Sequence, residues 1–533
     1  MSNTKNFPLD SNSPDPSKPE SHRSLVKSSG LVAIGVLSSR LLGFIRDMVL
    51  ANVLGTGWIA DAFLVAQRIP NLLRDLVGEG AANAAIVPVI SEYHHHNRAQ
   101  WLQLINVVMA WGVIILGGIT LIGIIAAPLI VRVMAPGFVS DPAKFELTVN
   151  LTRIMFPYLI LIALTAVQVG ILYSLRSFFT PAFGPCLLNI AMILCAWLAA
   201  SFNWALAYAL AGGVLIGGVW QFLAQYMALK KLGVKWELAT TLNHEGAKKI
   251  GRLMVPRIWG SAVYQLNVFA DTFCASLSMI VGSGGIAAIY FANRIVQFPL
   301  GIFGYALSSV TLPSLSAMVA KGEHEAFRTT LSFALRNLLY VLIPAAVLIA
   351  LVAKPLIQLI FQHGAFDDYS TQITVTALVF YVIGLPFFGI TRILVAAFYA
   401  KQDTKTPVRI ATMCLILNVA GNVILMFPLK IGGIALASSL SSVFNCWLLI
   451  AALESAGHQL KKELLGFVYS IIVPIIAMVA SVLVIEYWAS CAMFLKVFLY
   501  IVVAGSMYIL TSLIMNVKEA KYILGLIQQK FNK

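Results

Sequence analysis

Apolar residues recur along the chain in long runs separated by short polar breaks. The breaks mark fourteen segments, at 25–50, 59–91, 101–133, 147–175, 181–201, 204–229, 250–280, 284–318, 328–360, 371–400, 407–428, 431–454, 464–486 and 492–516. A helix rises about 1.5 Å per residue, so an apolar run of about 20 residues reaches across a hydrocarbon layer roughly 30 Å thick. The pattern predicts an all-α polytopic membrane protein with 14 transmembrane helices. Residues 1–24 are polar, rich in Ser, Asn and Pro, and lack the apolar core of a signal peptide, so they read as a disordered tail.

Composition agrees with the pattern. Apolar residues make up 59% of the 533 and charged residues 11%, less than half the roughly 25% usual in soluble proteins. A mean hydropathy of +0.86 leaves too little polar skin for a soluble fold. The 37 Lys and Arg outweigh the 22 Asp and Glu, which in a soluble chain would suggest nucleic acid. Here the basic residues cluster in the even-numbered gaps: Lys230, Lys231, Lys235, Lys248, Lys249 and Arg252 in the sixth, Lys401, Lys405 and Arg409 around the tenth, Lys461 and Lys462 in the twelfth. The odd-numbered breaks at Ala51–Trp58 and 282–285 have none. By the positive-inside rule both termini are cytoplasmic, and no nucleic-acid partner is implied. The six cysteines are scattered without a CxxC pair and read as small buried hydrophobes.

Sliding the chain on itself by about 226 residues aligns three distinctive stretches in order. Ala66-Gln67-Arg68-Ile69 meets Ala292-Asn293-Arg294-Ile295, Pro128-Leu129-Ile130 meets Pro355-Leu356-Ile357, and Tyr173, Thr180 and Pro181 meet Tyr399, Thr406 and Pro407. Six spans separate the copies, so the two repeats share one membrane orientation. The expected organisation is a tail (1–24), an N-lobe of six helices (25–229), a basic cytoplasmic linker (230–249), a C-lobe of six helices (250–456), a terminal pair without a repeat mate (457–516) and a cytoplasmic C-terminal tail (517–533). Transporters of this build place the substrate between the lobes near the bilayer midplane, often beside broken helices. The second and eighth segments fit that description, with Pro70, Gly78 and Gly80 in one and Pro299, Gly301 and Gly304 in the other.

Charges inside the apolar segments sharpen the picture, because an arginine at a helix centre costs about 2.5–3.5 kcal/mol on insertion scales. Arg153, Arg257, Arg336 and Arg392 read as snorkelling or interhelical pairing. Arg40, Arg46, Arg68, Arg74 and Arg294 are harder to dismiss, and four of them crowd the first two segments with Asp47, Asp61, Asp75 and Glu79. Asp61, Arg68 and Asp75 are each seven apart, hence on one helical stripe, as are Arg40 and Asp47. Such a stripe must face protein or water. It serves either a substrate cavity or an ion-pair network closing the first helix on the second. Arginines in excess of carboxylates make the cavity cationic, and the planar guanidinium fork matches phosphate oxygens in pairs. The residues therefore predict a two-lobed transporter for an anionic, amphipathic substrate, not an enzyme.

The stretch Ser39-Arg40-Leu41-Leu42-Gly43-Phe44-Ile45-Arg46-Asp47, followed by Asp61-Ala62-Phe63, Pro70-Asn71-Leu72-Leu73-Arg74 and Gly78-Glu79-Gly80, resembles the MurJ (MviN) family of bacterial lipid II flippases, within the MATE/polysaccharide-exporter (MOP) superfamily. Tyr290-Phe291-Ala292-Asn293-Arg294 and Phe298-Pro299-Leu300-Gly301 extend the resemblance to the second half. It implies alternating access in the inner membrane, carrying lipid II (an undecaprenyl-diphosphate-linked disaccharide-pentapeptide) from the cytoplasmic to the periplasmic leaflet for peptidoglycan synthesis. It implies substrate contacts at Arg40, Arg46, Arg74 and Arg294, and gate or cavity roles for Asp47, Asp61, Arg68, Asp75, Glu79 and Asn293. Asn293 stands where some members have Asp. The terminal pair is implied to hold the polyprenyl tail, membrane lipids to surround the chain, and a monomer to suffice. The alternative within the superfamily is an O-antigen-type or multidrug exporter.

No cofactor is expected. Asp271 is a lone acid in the seventh segment, and Asn418 with Asn422 forms an i, i+4 pair in the eleventh; with Ser438 they offer oxygen ligands to Na⁺. The alternatives are an Asp271 simply hydrogen-bonded within its lobe, or coupling to protons or the membrane potential. No Walker A loop, Ser/His/Asp triad or DDxxD motif occurs.

Overall fold

The computed structural model describes residues 22–77, 81–96, 98–234, 236–237, 239, 241–455, 460–488 and 492–531. Among them every regular element is helical. The first half comprises α1 (His22–Leu54), α2 (Trp58–Val77), α3 (Ala81–His96), α4 (Arg98–Met134), α5 (Pro142–Met155), α6 (Tyr158–Ser174), α7 (Phe179–Phe202) and α8 (Leu206–Lys231). The second comprises α9 (Glu245–Ala275), α10 (Ser278–Val281), α11 (Gly285–Pro299), α12 (Tyr305–Lys321), α13 (His324–Leu351), α14 (Ala353–Phe361), α15 (Asp368–Ala400), α16 (Lys405–Leu429) and α17 (Ile431–Ser455). Helices α18 (Leu460–Trp488), α19 (Met493–Leu499), α20 (Gly505–Ile514) and α21 (Lys518–Phe531) close the chain.

Among the described residues, 11 helical stretches are long and apolar enough to cross a membrane. They coincide with the third to sixth and eighth to fourteenth predicted segments. Helices α1, α2 with α3, and α9 occupy the other three, and they carry the embedded charges at Arg40, Arg46, Arg68, Arg74 and Asp271. The protein is thus a multi-pass membrane protein. The apolar helices keep many large side chains on the outside, Ile122, Ile125, Val310 and Ile476 among them, as a surface solvated by lipid requires.

Several predicted segments are broken rather than continuous. The fourth divides at Phe156–Pro157 into α5 and α6. The eighth passes through a π-turn at Leu300–Gly304, just after Pro299, and the fourteenth through another at Tyr500–Ala504. Pro299 removes one hydrogen bond and crowds the carbonyl a turn earlier, which weakens the helix beside the first of these; no proline stands near the second. Helix α1 begins at His22 and so takes in the end of the predicted tail. The predicted C-terminal tail is helical over α21, and Glu519 at its start pairs with Arg336 of α13. The rest of the N-terminal tail and the boundary at 456 lie outside the described residues.

Packing follows one pattern in both halves. In the first, α1 packs on α7, α7 on α8, α6 on α8, α4 on α6 and α3 on α6; in the second, α9 packs on α16, α16 on α17, α15 on α17, α13 on α15 and α12 on α15. Helix α9 touches α2, α3 and α4, and α11 touches α1 and α2, so the halves meet chiefly through α9 and α11 of the second against the first four helices of the first. The terminal pair lies against α13, with Arg328 and Ser332 both bonded to Glu463 of α18 and the Tyr508 hydroxyl donating to the Tyr340 carbonyl at 2.9 Å.

Candidate substrate cavity and closure

A cavity of about 310 Å³ lies between the halves, its walls drawn from α1, α2, α6, α7, α8, α9 and α11. Arg46, Arg68, Arg74 and Arg294 line it, and Asp75 is the carboxylate among its lining residues. Neutral polar groups complete the wall: Gln67, Asn71, Gln265, Asn293 and Gln297, with Tyr264 and Tyr290. Arginines outnumber carboxylates, and their forks suit phosphate oxygens.

Asp47 sits at the junction of the two halves. Its side chain is 2% exposed, accepts from Arg46 Nε and Nη2 at 3.0 and 2.7 Å and from the Tyr290 hydroxyl at 2.7 Å, and forms an ion pair with Arg294, Nε to Oδ2 at 2.9 Å. Arg294 Nη2 also donates to the Tyr290 hydroxyl at 2.9 Å, and Arg46 Nη1 to Asn189 Oδ1 at 3.0 Å. Arg46 and Asp47 belong to α1, Tyr290 and Arg294 to α11, so the cluster ties the halves together. The network closes the first helix on the eighth segment, not on the second as the sequence alternative had it. Arg294 remains 39% exposed and so keeps one face toward the cavity.

A second buried pair reinforces the closure. Lys144 Nζ donates to Asp61 Oδ2 at 2.8 Å with side chains 6% and 2% exposed, and the Ala287 N–H in the first turn of α11 donates to Asp61 Oδ1 at 3.0 Å. A carboxylate at a helix N-terminus also interacts favourably with the helix dipole. Beyond it the loops interlock. The Ala365 N–H donates to the Asn52 carbonyl at 2.8 Å, and the Thr56 hydroxyl to Ser370 Oγ at 2.8 Å. Gly55 (φ 57) and Gly284 (φ 77) permit this: a Cβ on Gly55 would strike the Ala365 carbonyl, and one on Gly284 the Thr56 carbonyl. The cavity is therefore sealed at the end bearing the odd-numbered loops.

The remaining predicted residues are distributed as follows. Arg74 pairs with Asp75 at 2.7 Å, and Gln265 of α9 reaches Asp75 Oδ2 at 3.4 Å. Arg68 Nη1 donates to Thr272 Oγ1 of α9 at 2.6 Å. Arg40 is placed outside the cavity lining, with its guanidinium against Gly301 in the π-turn of the other half. Glu79 lies outside the described residues. The four residues proposed for a cation come together: Asn422 Nδ2 donates to Asp271 Oδ1 at 2.8 Å and to Asn418 Oδ1 at 2.8 Å, Ser438 Oγ donates to Asp271 Oδ2 at 3.0 Å, and Asn418 Nδ2 donates to Ser438 Oγ at 3.2 Å. Asn422 Oδ1 is buried without a hydrogen-bond partner. One carboxylate, two amide oxygens and a hydroxyl are hard donors of low total charge, a set that suits a small hard cation.

The family model described as lipid II flippase MurJ matches residues 50–505. The chain belongs to the MurJ family. It is 35% identical over 454 residues to the probable lipid II flippase MurJ of Vibrio cholerae, covering 83% of this chain and 86% of that one. A solved structure of lipid II flippase MurJ in an inward closed conformation superposes with a TM-score of 0.77 at 25% identity, covering 93% of this chain and 99% of that one. An inward-facing multidrug resistance MATE transporter of the MOP superfamily shares the fold, with a TM-score of 0.65 at 16% identity over 80% of this chain and 95% of that one. Membership of the MurJ family makes the protein a transporter.

The sequence pattern assigns no role to Tyr290, Lys144, Asn189 or Thr272. Tyr290 precedes Arg294 by one helical turn, so i, i+4 spacing on α11 was the available signal. Lys144 reads as a loop cation beside Asp141-Pro142, and nothing local announces that it turns inward to Asp61. Asn189 and Thr272 are ordinary polar residues in apolar helices, and only the fold brings them to Arg46 and Arg68.

Proposed function

We propose that the protein carries lipid II from the cytoplasmic to the periplasmic leaflet of the bacterial inner membrane by alternating access between its halves. One observation carries this reading: Arg46 and Arg294, one from each half, converge on Asp47 at the wall of a cationic cavity. Asp47 occupies the Arg46 fork and one side of Arg294, where a diphosphate would bind. A bound diphosphate competes for Arg294, and loss of the Arg294–Asp47 pair removes a tie between the halves. Arg74 and Arg68 add charge to the same site, and the amides around them face the sugars and peptide. One chain encloses the whole cavity, so a monomer suffices.

The finer architecture belongs to the same reading. Fourteen spans are obtained when α1, α2 with α3, and α9 cross beside the apolar helices. Two parallel six-helix repeats, 25–229 and 250–456, are supported by the matching packing order of the halves. Basic even-numbered loops and linker 230–249 face the cytoplasm with both termini, which puts the sealed end at the periplasm. The pair within 457–516 supplies an apolar groove for the polyprenyl tail, and membrane lipids bathe the rest. The Asp271 cluster would hold Na⁺, whose gradient would supply the drive; the unpartnered Asn422 Oδ1 supports this.

The test is complementation of a conditional lipid II flippase mutant, scored as lipid II exposed at the periplasmic face. Wild type should restore exposure, and Arg294→Ala at matched membrane level should not. A well-expressed wild type that restores nothing would point to another polyprenyl-linked glycan, or to a multidrug substrate as in MATE relatives.

A further inference from the structure

Arg68 differs from the other cavity arginines. Arg46, Arg74 and Arg294 each hold a carboxylate at 2.7–2.9 Å, whereas Arg68 has no carboxylate at ion-pair distance among the described residues. A guanidinium carries five N–H donors, and its bond here is the one from Nη1 to the Thr272 hydroxyl at 2.6 Å. Thr272 is 1% exposed and its hydroxyl in turn donates to the Val268 carbonyl at 2.7 Å. The residue before Thr272 is Asp271, so the bond to Thr272 brings the Arg68 guanidinium to the stretch of α9 that carries that carboxylate. Arg68 thus stands on the cavity wall in the first half and is anchored in the second, one residue from the carboxylate of the candidate cation cluster.

We propose that Arg68 is a positioning residue that couples cation binding at Asp271 to anion binding in the cavity. This rests on reading the cavity as a diphosphate site and the Asp271 cluster as a cation site. While Asp271 is uncompensated, its charge and the Thr272 hydroxyl hold Arg68 to the cavity wall. Once that charge is compensated, Arg68 is released and adds its fork to the diphosphate beside Arg46 and Arg294. Linkage makes the effect reciprocal, with a coupling on the order of tenfold typical of such site pairs.

The experiment titrates inorganic pyrophosphate into the purified full chain by calorimetry, in sodium chloride and in choline chloride of equal ionic strength. Wild type should bind about tenfold more tightly in sodium. Arg68→Gln should bind at the weaker, sodium-free level in both salts, and Arg68→Lys, which keeps the charge, should recover part of the response. Thr272→Val, which removes the anchor, should raise the sodium-free affinity toward the sodium level. A sodium response of wild-type size in Arg68→Gln overturns the proposal, as does a wild type indifferent to sodium. Absence of pyrophosphate binding in either salt, by wild type and variants alike, would overturn the diphosphate reading of the cavity as well.

Discussion

Replacing Asp47 by Asn removes one charge and little else, which makes it the most direct probe of the closure. The carboxylate is 2% exposed, hydrogen-bonded by Arg46 and the Tyr290 hydroxyl and ion-paired with Arg294. Breaking a buried pair by removing one partner costs about 3–5 kcal/mol, mostly from the charge left behind. Two features reduce that here. Arg294 is 39% exposed to the cavity, so water recovers part of its solvation, and the amide oxygen of Asn still accepts one bond. Arg46 lies on the same helix as Asp47, so that pair persists in either conformation and does not favour closure. The loss specific to the closed state is therefore about 2–3 kcal/mol, or a shift of roughly 30- to 150-fold in the closed-to-open ratio.

Spin labels at exposed positions 139 and 283, one in each half at the sealed end, would report this by pulsed dipolar spectroscopy in a background without native cysteines. Wild type should give a single short distance, and Asp47→Asn a substantial second population at longer distance. An unchanged short distance in a monodisperse Asp47→Asn protein would refute the assignment of the cluster as a closure between halves.

Three further outcomes are expected. Lys144→Met leaves the Asp61 carboxylate buried without its cation and should lower stability by about 3–5 kcal/mol, read as a fall in Tm; adding Asp61→Asn should restore much of it. Asp367 caps α15 by accepting from the Ser370 N–H at 2.8 Å, and that bond holds its carboxyl below the usual carboxylate range. Asp367→Ala should cost about 1 kcal/mol at neutral pH. Because the folded value is the lower one, the difference should be full above the unfolded carboxylate pKa and vanish as the pH falls through the folded value, as a Tm–pH series would show. Lys230→Ala, on the exposed end of α8, should leave transport unchanged; a strong defect would remove Lys230 from the solvated skin.

Much of the fold was legible because membrane helices announce themselves by composition over about 20 residues, and eleven of the predicted segments are apolar enough to satisfy that test on their own. Helix breaks were partly legible: Pro299 stands just before the π-turn after α11 and Pro157 at the division between α5 and α6, whereas no proline marks the π-turn at Tyr500–Ala504. For the cavity, the excess of arginine over carboxylate was readable once Arg294 was counted with the charges of the first two segments. Which arginine meets which partner was not, because Asp47 and Arg294 are separated by most of the first half and no local pattern encodes that pairing. Arg40 shows the limit most clearly. Its spacing puts it on the Asp47 stripe, yet a π-turn in the other half lets its guanidinium settle on Gly301, away from the cavity lining.

The helices that are least apolar are the ones on which the transport cycle depends, and one physical constraint explains both facts. A guanidinium in the bilayer interior is tolerated only where protein, water or a counter-ion replaces its hydration. Arg46, Arg68 and Arg74 meet that condition because their helices face α9 and α11 across the cavity. An empty carrier that opened at the sealed end would separate Arg294 from Asp47 and expose a bare cation to the cavity, which holds the closed state in place. In the proposed cycle a diphosphate removes the penalty by replacing Asp47 beside Arg294. In that cycle the substrate is thus itself a component of the gate, and an unloaded cavity stays closed at the sealed end because Arg294 has no other carboxylate to hold.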